Sequence, residues 1–413
     1  MKKIFVYLFL ITAFITQAYS QIQWTKDPNN PVLERGDNGT WDDVTVGSPS
    51  VIYDGTIYHM WYIGSNGSNS NFGYATSTDK INWDKHLTPV LEHGGAGSWD
   101  GSYILHPTVY FDGTTYHMWY TGGGGEFGKI GYATSPDSIT WTKYSGNPVL
   151  TPGDPGSWDD QGINSPEVLF IDGVFHMWFG GFDGSQAQIG HATSLNGIDW
   201  EKDTLPVLQV GMAGSWDNAS VSQPSVLFDG KMFHMWYGGG TDFNWKIGYA
   251  KSIDGKTWQK DDTNNPVLGP GSSVQWVGYQ TVCFKSDSTG FDMWYTAGVS
   301  AGFVSDIGYA YTPPVSVEDN KLNIMPTEYS LSQNYPNPFN PTTKIRYQIP
   351  QTSNVNIKVF DILGNEIQTL VNKEKATGTY ELTWYAEGFL SGVYFYRLQA
   401  GDFIHTKKMI LMK

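Results

Sequence analysis

Tyr58-His59-Met60-Trp61-Tyr62 returns as Tyr116-His117-Met118-Trp119-Tyr120, Phe175-His176-Met177-Trp178-Phe179, Phe233-His234-Met235-Trp236-Tyr237 and Phe291-Asp292-Met293-Trp294-Tyr295. The gaps between the tryptophans are 58, 59, 58 and 58 residues. So regular a period means one supersecondary unit copied five times. Each copy carries the same signals in order. A Pro-Val-Leu turn, as at Pro89-Val90-Leu91, leads to a Gly-rich loop ending in Trp99-Asp100. An alternating run at 106–111 then meets an Asp112-Gly113 turn and a second run through Trp119. A loop of variable length, a third run at 130–134 and a short segment around Trp141 complete the copy. Asp-Gly between β-branched and aromatic runs marks a hairpin. Four short antiparallel strands per copy, set about an axis, predict an all-β protein built on a five-bladed propeller.

The ends of the repeat predict how the ring closes. The fourth-strand tryptophans are Trp24, Trp83, Trp141, Trp200 and Trp258, and Trp24 stands before the first full copy. The last copy stops after its third strand, near Ala310. The N-terminal strand should therefore complete the fifth blade and remove an open sheet edge. Residues 21–313 are read as propeller and 314–328, rich in Pro and polar residues, as a linker. Residues 329–413 alternate like a small Ig-like β-sandwich. Residues 1–20 have a basic start, a short apolar run and Ala18-Tyr19-Ser20, the pattern of a signal peptide removed after Ser20.

Composition narrows the partners. The net charge is −15; residues 331–413 carry nine Lys/Arg against six Asp/Glu and the leader two lysines, which leaves −20 on residues 21–330. That speaks against nucleic acid or an anionic membrane as partner. No transmembrane segment is expected beyond the leader. Cys283 is the only cysteine, so no internal disulfide forms. No zinc spacing, phosphate loop or other cofactor motif stands out. No cofactor or metal is expected, with a central ion left open.

Two resemblances follow from particular residues. Asn334-Tyr335-Pro336-Asn337-Pro338-Phe339-Asn340-Pro341, Phe360-Asp361-Ile362-Leu363-Gly364, Gly392-Val393-Tyr394-Phe395-Tyr396 and the basic tail resemble the type A C-terminal sorting domain of the type IX secretion system. Trp384-Tyr385 departs from that family's usual Trp-Asp/Asn-Gly. The resemblance implies export by a Bacteroidetes-like bacterium and display or release at the cell surface, with the secretion machinery as partner.

Residues 21–313 resemble the five-bladed propellers of the arabinanase, xylosidase, invertase and levansucrase clan. The pattern is X-Pro-Ser-Val, Asp-Gly, Tyr-x-Met-Trp-Tyr, Gly-Tyr-Ala-Thr-Ser and Ser-Ile-Asp-Gly-Lys-Thr-Trp at 252–258. The resemblance implies a glycan ligand. That clan places acids before the prolines of blades one and two and two residues before that of blade three. Here those positions hold Ser48, His106 and Asn164.

Residues that break the repeat are the functional candidates. Glu167 stands in a column otherwise made of Ser50, Thr108, Ser225 and Thr281. With Asp43 or Asp160, second acids present only in copies one and three, it would supply the carboxyl pair that glycoside hydrolysis usually needs. Trp245 is off the repeat and reads as part of a variable loop, where its ring would stack on a sugar. His106 at the inner-strand entrance and Glu126, Asp183 and Asp242 in variable loops would line the same face. His191 replaces the tyrosine of Gly-Tyr-Ala. The recurrent Asp42, Asp100, Asp159 and Asp217 and the recurrent histidines read as structural. Two functions compete: a glycosidase using Glu167, and a non-catalytic glycan- or surface-binding propeller.

Overall fold

The computed structural model describes residues 24–124, 128–241, 244–269, 277–285, 290–299, 304–312 and 329–412. The leader, the 314–328 linker, Glu126, Asp242 and Trp276 lie outside them. Among the described residues every regular element is a β-strand. The chain divides into two compact units, Met1–Val315 and Ser316–Lys413.

In the first unit each repeat is an antiparallel meander. Repeat two runs Tyr103–Phe111, Tyr116–Gly123, Lys129–Ser135 and Thr142–Lys143. Repeat three runs Gly162–Ile171, Val174–Phe182, Ala187–Ser194 and Glu201–Lys202. Repeat five has three strands of its own, and Thr25–Lys26 supplies the fourth, with Thr25 opposite Tyr311 and Lys26 opposite Ala310. The first strand of each repeat lies against the first strand of the next, and that of repeat five returns to that of repeat one. The first strands therefore surround a common axis.

The second strands read as continuous apolar runs because they are covered on both faces. Met60 packs towards repeat five and Trp61 towards repeat two. Among the described residues four of the five second-strand indoles also find an acceptor across the gap, Trp236 being the exception. Trp61, Trp119 and Trp178 donate to the carbonyls of Ser138, Gly197 and Gly255 at 3.0, 2.7 and 2.7 Å. These carbonyls also accept from Trp141, Trp200 and Trp258 of their own repeats. One turn thus fixes two tryptophans, which explains why both series keep the same period.

The repeated acids hold their loops. Asp100, Asp159 and Asp217 are buried and pair with Lys143, Lys202 and Lys260 at 2.6, 2.5 and 2.6 Å. Asp42 pairs likewise with Lys85. The repeated histidines bridge an Asp-Gly turn to the third strand. His117 contacts the Tyr132 hydroxyl at 2.6 Å and Asp112 at 3.1 Å. His59 and His234 repeat the arrangement.

The second unit has a three-stranded sheet (Ser330–Leu331, Thr342–Ile349, Gly378–Tyr385) and a four-stranded one. The latter orders Glu366–Lys375, Ser353–Phe360, Gly392–Ala400 and Phe403–Leu411. Ile345, Tyr347 and Trp384 from one sheet share a core with Val355, Ile357, Val359, Tyr396 and Leu398 from the other. Asn334 of the Asn-Tyr-Pro-Asn-Pro run is buried and ties Pro336 O and Thr343 Oγ1 together, at 3.1 and 3.0 Å.

Candidate functional site

The inner strands share a defect that sequence periodicity does not announce. Each carries a bulge near its start, between Gly47 and Ser50, Leu105 and Thr108, Asn164 and Glu167, Ser222 and Ser225, and Tyr279 and Thr281. At four of these, the residue before proline has positive φ: Ser48 (48°), His106 (55°), Ser165 (52°) and Gln223 (55°). A side-chain-bearing residue in that region is strained, and a following proline disfavours helical geometry further. Such strain persists only where surrounding contacts enforce it, and it concentrates at functional sites. Here the contacts come from neighbouring repeats. Ser48 N–H donates to Thr296 Oγ1 at 2.7 Å and Ser165 N–H to Thr121 Oγ1 at 2.8 Å. Thr121 and Thr296 were not singled out in the sequence. The signal was there: their column holds Ile63, Gly180 and Gly238 in the other repeats.

The three positions that hold acids in the resembled clan carry no carboxyl here and make hydrogen bonds between repeats instead. Ser48 Oγ lies 3.1 Å from His106 Nδ1, joining repeats one and two. Asn164 Oδ1 accepts from Ser165 Oγ at 3.0 Å and from Ser222 Oγ at 3.2 Å, joining repeats three and four. Gly180 permits this approach, since a Cβ there would stand 2.2 Å from Ser222 Oγ and 2.6 Å from Asn164 Oδ1.

Glu167 lies just past the bulge and spans three repeats. Its Oε2 accepts from Thr108 Oγ1 at 3.4 Å and its Oε1 from Val226 N–H at 3.3 Å. Ser50 Oγ fills the equivalent slot between repeats one and two, accepting from Val109 N–H at 3.1 Å. The residue as a whole is half-buried, while its carboxyl is hemmed in by protein. Desolvation outweighs the two long hydrogen bonds and pushes the carboxyl up to about 8. A carboxyl kept neutral near pH 7 has the proton a general acid needs.

The proposed partners of Glu167 are engaged elsewhere. Asp43 Oδ2 accepts from Gly39 N–H at 2.7 Å, and its buried Oδ1 has no hydrogen-bond partner among the described residues. Asp160 accepts from Gly156 N–H at 2.6 Å and from Gln161 Nε2 at 3.1 Å. Gln161 meets the second oxygen in repeat three, and Val44 at the same place in repeat one has no donor to offer. Both acids fasten their own Gly-rich loops, and neither is hydrogen-bonded to Glu167.

Asp183 closes a tight turn. Burial alone would raise its pKa, but the N–H groups of Gln186 and Ser185 and the Ser185 hydroxyl hold its carboxyl below the usual range. Trp245 corrects the sequence reading. It is not in a loop but in the strand Asn244–Ser252, opposite Gly240. Its half-buried ring lies against Gly238, where a Cβ would meet Trp245 Cε3 at 3.2 Å and Gln223 Oε1 at 3.0 Å. Gly238 leaves room for that ring on the sheet. His106 is half-buried at its strained position. Among the described residues no group of three or more His, Cys, Asp or Glu side chains is arranged to hold a metal ion. No helix there is long and apolar enough to cross a membrane.

Comparison with known proteins places this geometry. Residues 48–207 match the glycosyl hydrolases family 32 N-terminal domain, and residues 333–412 the secretion system C-terminal sorting domain. An uncharacterised protein of Mycobacterium tuberculosis is 31% identical over 151 residues, covering 34% of this chain and 48% of that protein. The 1,2-beta-oligomannan phosphorylase of a Thermoanaerobacter species is 29% identical over 28% of this chain and 41% of its own length. The chain thus spans about half the length, or less, of these relatives. Among solved structures, one described for the GH130 family of mannoside phosphorylases and glycoside hydrolases superposes with a TM-score of 0.58 at 18% identity, over 72% of this chain and 96% of its own. At that identity the likeness is one of fold. The sorting domain marks the chain for type IX secretion to the cell surface or beyond. Residues 48–207 are thus similar to a glycosyl hydrolase propeller domain, the fold likeness extends over 72% of the chain, and residues 333–412 are similar to a secretion-system C-terminal sorting domain.

Proposed function

We propose that this chain is an exported, five-bladed propeller that binds glycans at the mouth of its central channel without cleaving them. A signal peptide at 1–20 and an Ig-like sorting sandwich at 329–413 would handle export. The observation that carries the reading is the network of Ser48 with His106 and of Asn164 with Ser222 at the places where the resembled clan keeps acids. Hydroxyls, an imidazole and an amide recognise sugar hydroxyls but do not supply the carboxyl pair of hydrolysis. Trp245, beside Gln223, would offer an aromatic face.

A second reading rests on Glu167. Its raised pKa suits a general acid, and a glycosidase would pair it with an acid from a neighbouring loop. A glycan array that includes β-1,2-mannosides, followed by product analysis on each hit, separates the two. Binding without products is expected. Turnover that Glu167→Gln abolishes would establish the second reading, and an array with no hit would remove both. Deleting 329–413 should leave the protein in the periplasm; normal surface display of the truncation would overturn the export assignment.

A further inference from the structure

Repeat three differs from its neighbours at the end of the strands away from the proline bulges. In repeats one, two and four the second-strand histidine meets a tyrosine hydroxyl, from Tyr74, Tyr132 or Tyr249. In repeat three that tyrosine is His191, which is fully buried. His176 Nδ1 lies 3.1 Å from His191 Nε2. His191 Nδ1 lies 2.9 Å from Asp203 Oδ2. Asp203 Oδ1 accepts from Lys256 Nζ at 2.9 Å, and Lys256 belongs to repeat four. Gly255, the residue before it, accepts the Trp178 indole across the same joint.

We infer that His176, His191, Asp203 and Lys256 form an acid-sensitive latch between the third and fourth repeats. The tautomers follow from the geometry. With His191 neutral, its Nδ1–H donates to the Asp203 carboxylate and its Nε2 accepts from His176 Nδ1–H. Both ring nitrogens of His191 and both carboxylate oxygens of Asp203 are then satisfied. Protonating His191 puts an N–H on Nε2, facing His176 Nδ1, and places a charge on a ring that water does not reach. His176 must then turn over its own proton or break away. Lys256 adds a like charge nearby, and Asp172 lies on the His176 side. Asp203 opposes the shift, but desolvation prevails and His191 is pushed down to about 4.

The sign follows. Between pH 6.5 and about 4 the unfolded chain binds a proton that the folded chain refuses. The stabilisation is complete above pH 6.5 and is lost as pH falls towards 4. The same joint carries Asn164–Ser222 and Glu167–Val226, so acid loosens the candidate site along with the latch.

The test is His191→Tyr in the full chain, which restores the residue of the other repeats. Repeat four already holds Tyr249 and Asp261 at the positions of His191 and Asp203, so the change fits the scaffold. Between pH 7 and 4.5 the wild-type melting temperature should fall by roughly 4 °C more than that of the variant, the shift expected for a unit of about 300 residues. Equal slopes would overturn the latch. In wild-type protein with ¹³C-labelled histidine, the His191 resonance should stay neutral down to about pH 4. Titration near 6.5 would overturn it too, whether or not the variant folds.

Discussion

Repeats two and three can be laid over one another residue by residue. Trp119 matches Trp178, and Asp100 with Lys143 matches Asp159 with Lys202. They part at Thr108 against Glu167 and at Tyr132 against His191. The matched positions hold a strand to its own loop or an indole to the next turn. Both parted positions in repeat three reach into repeat four, through Val226 directly and through Asp203 to Lys256. Copying has therefore kept the loop pairs and the indole link to the next turn, and repeat three adds polar links of its own to repeat four.

The comparison is tested hardest where the repeats agree. Trp119→Ala and Trp178→Ala each empty a fully buried site and remove one of the two indole donors to a turn carbonyl. Each should cost about 3–5 kcal/mol in chemical denaturation. A difference between the two of more than about 1 kcal/mol would show that the repeats are not mechanically equivalent.

Asp100→Ala and Asp159→Ala come next. Both leave a lysine without its buried partner, and both should lose about 3 kcal/mol, somewhat less than a fully enclosed pair because each ammonium keeps part of its hydration. Loss of stability in only one of them would separate the two loops.

Glu167 sharpens the difference. Its folded pKa of about 8 lies above the ordinary value of 4.5. Between those limits the folded chain holds a proton that the unfolded chain has released, so its contribution falls as pH rises through 8. Glu167→Gln should remove that slope and change melting little near pH 5. Thr108, its counterpart, has no such slope to lose. An unchanged pH profile in Glu167→Gln would show that the carboxyl is ionised and already paid for elsewhere.

The smallest effect is expected at Trp245. If the channel mouth binds glycans, Trp245→Ala should weaken binding roughly tenfold, or about 1.4 kcal/mol, with melting nearly unchanged. Unaltered affinity for a glycan that the wild type binds would remove the ring from the site.

The chain's own letters determined the repeat, the strand order within it and the fourth strand lent by the N-terminus. Those features rest on alternation, Asp-Gly turns and a period near 58, all local or periodic quantities. The irregular columns at Glu167, His106 and His191 were visible for the same reason, as breaks in a pattern. What those residues touch was not visible. Asn164 meets Ser222 across 58 residues, and Glu167 meets Thr108 and Val226 across 59. Such meetings depend on how the repeats close about their axis, and no window along the chain contains them. Trp245 looked like a loop residue because its column varies, yet Ser70 and Ala187 at the same place in repeats one and three also lie in the third strand. Only the tertiary structure decided that Asp43 and Asp160 serve their own loops, and that the Glu167 carboxyl is desolvated between Thr108 and Val226. A carboxylate's role is set by which donors reach it and how much water it loses, and both are properties of the assembled ring.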